Sequence, residues 1–218
     1  MTHSEMRRRI ERSADILSMD LYEGVTTGVG TALEILRALP NNDDYPHLLS
    51  LNARAFMREH WRGNGLPEGW EVAGNPRLMG QTMLLNPRDD MEFRLLKERR
   101  RRYPGGVPVA GSNAARQSAW RQLPLALTLP DGPVPDGRIR LLALWDLTRT
   151  RDELQVHVRV VHTLGPGVYG SRVPIDLSYE IRPSGGIFET LEFVGDPQDD
   201  DLFADIDREE NEGDATSG

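Results

Sequence analysis

Cysteine is absent from this 218-residue chain, and lysine is nearly so: Lys97 is the only one among 26 basic residues. Zero cysteine excludes a disulfide framework, a thiolate metal site and a cysteine nucleophile. The chain also has no run of 18 or more apolar residues, so no stretch could form a membrane-spanning helix. The N-terminal stretch Met1 to Arg9 has no apolar segment behind it that could act as a signal peptide. These absences lead to the expectation of a cytoplasmic protein with no membrane partner. Histidines are few, at positions 3, 47, 60, 157 and 162, and none pairs at metal-ligand spacing. No Gly-x-Ser-x-Gly elbow occurs, so a serine triad has no support. No metal, no cofactor and no catalytic residue is assigned, and the balance leans away from an enzyme.

What is present is arginine, which makes up the other 25 basic residues. Its planar fork suits bidentate recognition of phosphate or carboxylate. Because the bias runs along the whole chain, GC-rich codon usage, as in high-GC bacteria, explains it more simply than selection for a ligand. Charge is unevenly divided. Residues 196–218 hold ten acids against Arg208 alone, a net of −9, whereas the whole chain carries −8. The first 195 residues therefore carry +1. The expected organisation is one α+β domain over 1–195 followed by a disordered acidic tail over 196–218.

Apolar spacing predicts helices over 4–19, 20–39 and 45–62. Asp20 and Glu23, three apart, resemble a capping box that starts the second. Asn86-Pro87 resembles an N-cap followed by proline in the first turn, which predicts a helix over 87–103. Ser112 is expected to cap a short helix to Arg121. Short strands are expected at 70–73 and 81–85. Leu125, Leu127 and Leu129 alternate, and 138–148, 154–164, 172–182 and 187–194 read as strands joined by short connections. The expected fold is N-terminal helices packed on one face of a C-terminal antiparallel β-meander of four to six strands.

The leading candidate site is an anion-binding stretch formed by Arg94, Lys97, Arg100, Arg101, Arg102, Gly105, Gly106, Ser112 and Asn113. An arginine run, a glycine-rich loop and a helix start bring together cations, exposed backbone N–H groups and room for close approach. The loop lacks the Gly-Lys-Ser/Thr of a P-loop. Gly24, Gly28 and Gly30 also superficially resemble a phosphate loop, but no strand precedes them and no lysine follows, so close helix packing is the better reading. Asp176 and Glu180 share a strand face at about 13 Å, too far for an acid/base pair. His157 and Arg159 on the neighbouring strand are expected to face them as cross-strand partners.

In the tail, Leu202, Phe203 and Ile206 sit among aspartates, a pattern suited to docking on a basic, partly apolar groove. The main functional expectation is a non-enzymatic binding or regulatory protein. It would engage an anionic partner, nucleic acid included, through the arginine cluster, with the tail as competitor or docking segment. One alternative is a small-molecule enzyme or ligand-binding protein holding a phosphorylated ligand at loop 104–113. Another is a scaffold protein that acts on a protein partner through its tail.

Overall fold

The structure is a computed structural model that describes residues 3–100, 102–122, 124–125, 137–149 and 154–189. Helix α1 spans His3–Arg37 and α2 spans Pro46–Asn64, separated by a short 3-10 turn over Asn42–Asp44. The expected break at Asp20 does not occur. Met6, Ile10, Ala14, Leu17, Leu21, Val25, Val29, Ala32 and Leu36 are all buried, so the stripe continues through Asp20 at unbroken three-to-four spacing. The local cap signal yields to that continuous face. The Asp20 carbonyl also accepts a hydrogen bond from Trp61 Nε1 of α2 at 2.8 Å. Glycine lets the two helices approach closely: a Cβ on Gly24 would lie 2.2 Å from Trp61 Nε1, and one on Gly28 would lie 2.8 Å from the Ala53 carbonyl oxygen.

Among the described residues seven strands follow: β1 Glu71–Ala73, β2 Met83–Asn86, β3 Met91–Lys97, β4 Ile139–Arg149, β5 Leu154–Thr163, β6 Ile175–Ile181 and β7 Ile187–Glu189. They form one sheet in sequential order. Every neighbouring pair is antiparallel except β3 and β4, which run parallel. The α+β class is as expected, with a strand count above the expected four to six.

The helix expected over 87–103 is replaced by the β2–β3 hairpin and the turn that follows it. Asn86 Oδ1 does accept from the backbone N–H groups of Arg88 and Asp89, at 3.0 and 3.1 Å. That is the cap-like signal in the sequence, but here it closes a turn. Asp90, at φ 46°, reverses the chain. Met91, Phe93 and Leu95 then alternate inward, which a strand satisfies and a helix does not.

The parallel β3–β4 pair requires a crossover, and it contains helix α3 over Ala114–Trp120. Asn113, not Ser112, caps α3: its Oδ1 accepts from Arg116 N at 3.0 Å. The crossover covers the sheet face opposite α1 and α2. There Tyr103, Val107, Val109 and Trp120 bury Leu142, Leu144, Val161 and Val173 in a second, smaller core. Leu125 lies in a turn, and the rest of the strand expected around Leu127 and Leu129 lies outside the described residues. No helix among the described residues is long and apolar enough to cross a membrane.

Candidate anion-binding surface

Alternation along β3 turns Phe93 and Leu95 toward α1 and α2, and Arg94 toward the crossover. There Arg94 Cζ lies 5.8 Å from the ring centroid of Trp120, and Arg116 Cζ lies 5.4 Å from the same ring. Trp120 is itself fixed, almost fully buried, by donation from its Nε1 to the Pro108 carbonyl at 3.1 Å. Cations near an indole gain from its quadrupole, but two guanidinium groups on one ring also repel each other. Both have a buried Nε with no hydrogen-bond partner.

The positive field extends beyond this pair. Burial pushes the Arg94 guanidinium below its usual range, and the charges of Arg116 and Arg54 push it further down, opposed by Glu92. Burial likewise lowers Arg54 on α2, with Arg99 adding to the effect. Lys97 Nζ sits 5.4 Å from the Trp145 ring centroid. Burial depresses Lys97 too, Asp146 opposes, and Arg99 adds to the depression. Arg54, Arg94, Lys97, Arg99 and Arg116 are thus linked neighbour to neighbour as like charges. Among the described residues none of these five forms an ion pair.

The residues expected at the site divide among separate places. Arg94 lies on the crossover face beside Arg116, whereas Lys97 lies on the opposite face over Trp145 and is linked to the other cations only through Arg99. Arg100, Gly105 and Gly106 instead serve a buried pair, Glu98 and Arg159, joined at 2.6 Å. Arg100 Nε lies 3.3 Å from the Glu98 carboxylate. The Gly105 carbonyl accepts from Arg159 Nη2. The Gly106 N–H donates to the Tyr103 carbonyl at 2.8 Å. A Cβ on Gly106 would meet Glu98 Oε1 at 2.1 Å, so glycine is required there by the carboxylate. Arg102 lies over the Tyr103 ring at 5.8 Å. Arg101 lies outside the described residues, as do Leu202, Phe203 and Ile206.

Ser112 and Asn113 sit in a further place, a groove of about 600 Å³ between α3 and the β5–β6 connection. Arg116 and Arg121 line it, with Val168 and Tyr169 on the opposite side. Arg116 is therefore common to the groove and the cationic cluster.

The remaining polar residues are engaged elsewhere. Glu180 faces Arg159 across the β5–β6 pair. Burial raises the Glu180 carboxyl above its usual range, and Arg159 opposes, with Glu98, Arg100 and His157 also contributing. His162 is buried, with Nδ1 2.6 Å from Asp176 Oδ1. Asp176 therefore serves His162 and the Leu125 backbone N–H, to which its other oxygen is an acceptor. Among the described residues no group of three or more His, Asp or Glu side chains could hold a metal ion.

The site residues expected from sequence leave out Arg54, Arg99, Arg116 and Trp120. Arg116 and Trp120 are four apart in α3, a spacing that stacks them on one helix face and so carried a local signal. Arg54 had none, since only the tertiary fold brings α2 near β3. Comparison with protein-family models, curated proteins and solved structures gives no match.

Proposed function

We propose that this chain is a non-enzymatic binding protein for an anionic partner, a nucleic-acid backbone being the chemistry that fits best. The binding surface is centred on Arg94 and Arg116, with Arg54, Arg99 and Lys97 extending the positive field. The observation that supports the reading is the pair Arg94 and Arg116, both partly buried over the Trp120 ring at 5.8 and 5.4 Å, with Arg54 adding like charge to Arg94, and with no ion pair at any of the five cations among the described residues. Clustering like charges opposes folding, and a bound polyanion reverses that cost. Arginine forks match phosphate oxygens in pairs. A phosphorylated ligand cradled by Gly105 and Gly106 is less favoured, because the Gly105 carbonyl and the Gly106 N–H are already engaged.

Binding of a labelled duplex oligonucleotide, followed by fluorescence anisotropy across a salt series, tests the reading. If all five cations contact phosphates, the log–log salt slope is about −4 to −5. Arg94→Ala with Arg116→Ala should flatten that slope by about 2. No binding at low salt, or a double variant that binds like the parent, would overturn the proposal.

A further inference from the structure

The groove beside α3 has two unlike sides. Arg116 and Arg121 form one. Val168 and Tyr169 form the other, and they are 71% and 63% exposed, large apolar side chains adjacent at a loop tip. The Ala110 N–H donates to the Pro166 carbonyl at 2.8 Å, so the two segments that line the groove are hydrogen-bonded to each other. Such a groove suits a segment that is apolar at a few positions and acidic around them.

The chain contains that segment. Leu202, Phe203 and Ile206 are embedded in Asp199, Asp200, Asp201, Asp205 and Asp207. Strand direction sends the tail the right way. In the β6–β7 pair Ile187 faces Ile181 and Glu189 faces Tyr179, so the chain leaving Glu189 heads toward the Ile175 end of β6. That end receives the β5–β6 connection, which carries Val168 and Tyr169. From Tyr179 to Ile175 is about 13 Å along the strand, and β7 to β5 is about 10 Å across the sheet. The 13 residues from Glu189 to Leu202 span up to about 43 Å, more than twice the roughly 16 Å to that end of the sheet.

We propose that the acidic segment 199–207 occupies this groove in cis, with Leu202, Phe203 and Ile206 against Val168 and Tyr169 and its aspartates beside Arg116 and Arg121. Because Arg116 also belongs to the cationic cluster, the docked segment competes with the anionic partner. The competition rests on the function proposed above, whereas the docking does not.

The absence of cysteine permits a direct test on the full chain. A spin label is placed through Ala204→Cys, and amide signals are compared with the label oxidised and reduced. Docking predicts selective broadening at Gly111, Gln117, Gly167 and Val168. It also predicts relief of that broadening in Arg116→Glu with Arg121→Glu. No selective broadening at those amides, or broadening untouched by charge reversal, overturns the docking. Isotope-labelled chain mixed with unlabelled, spin-labelled chain must show no broadening, since a signal there places the segment on a second copy. In the oligonucleotide assay, Leu202→Ala with Phe203→Ala and Ile206→Ala keeps every charge and should tighten binding several-fold. Localised broadening without any oligonucleotide binding would remove the anionic partner and leave the docking standing. Oligonucleotide binding without broadening would do the reverse.

Discussion

Gly24→Ala and Gly30→Ala should move stability in opposite directions, although both replace glycine by alanine inside α1. At Gly30 a Cβ meets nothing within 4 Å. The substitution there gains only helix propensity, about 0.5–1 kcal/mol. At Gly24 a Cβ would lie 2.2, 2.4 and 2.7 Å from three atoms of the Trp61 indole. That ring is 1% exposed and cannot swing into solvent without vacating the core. Displacing it breaks the 2.8 Å bond from Nε1 to the Asp20 carbonyl, worth about 1 kcal/mol. Overpacking adds about 1–3 kcal/mol. Set against the same propensity gain, Gly24→Ala is destabilising by about 1–3 kcal/mol. For a chain of this size each kcal/mol moves Tm by about 2–4 °C, so the two variants should separate clearly in calorimetry. Urea midpoints provide the equilibrium check. A Gly24→Ala protein as stable as Gly30→Ala would refute the close α1–α2 packing inferred here.

Three further outcomes follow from buried and half-buried polar groups. Arg58, 5% exposed, donates to the carbonyls of Ala73, Gly74 and Gln81; Arg58→Met leaves these acceptors without their donor and should cost about 1–3 kcal/mol, with faster hydrogen exchange concentrated in 73–82. Burial, with Arg159 opposing, raises the Glu180 carboxyl, so the folded chain holds this proton more tightly than the unfolded one. Its stabilising effect is full below the ordinary carboxyl range and is lost as pH rises through the folded value. Glu180→Gln, which mimics the protonated group, should therefore raise the urea midpoint at pH 7 and leave it unchanged at pH 4; a gain at both pH values would count against this account. Tyr179 donates from its hydroxyl to Glu11 Oε1 at 2.7 Å, linking β6 to α1, and Tyr179→Phe should cost about 1 kcal/mol by the same denaturant measurement.

Much of the fold is written locally. The α1 stripe from Met6 to Leu36 has helical spacing, and the strands from Arg138 onward have spacing of two. Each pattern records which side of an element is buried. The charge division at residue 196 is likewise a property of the sequence. Asn86-Pro87 shows where local reading fails. The same side-chain acceptor serves a helix start or a hairpin turn, and the alternation of Met91, Phe93 and Leu95 decides between them. Only the tertiary structure decided that β3 pairs parallel with β4, which forces the crossover and lays α3 over the second face of the sheet. That topology sets Arg94 of β3 and Arg116 of α3 over one indole ring, with Arg54 of α2 electrostatically coupled to Arg94, and places Arg100, Gly105 and Gly106 around Glu98 instead. The physical reason is that periodicity specifies an element's buried face but not its neighbour, and electrostatic convergence depends on neighbours.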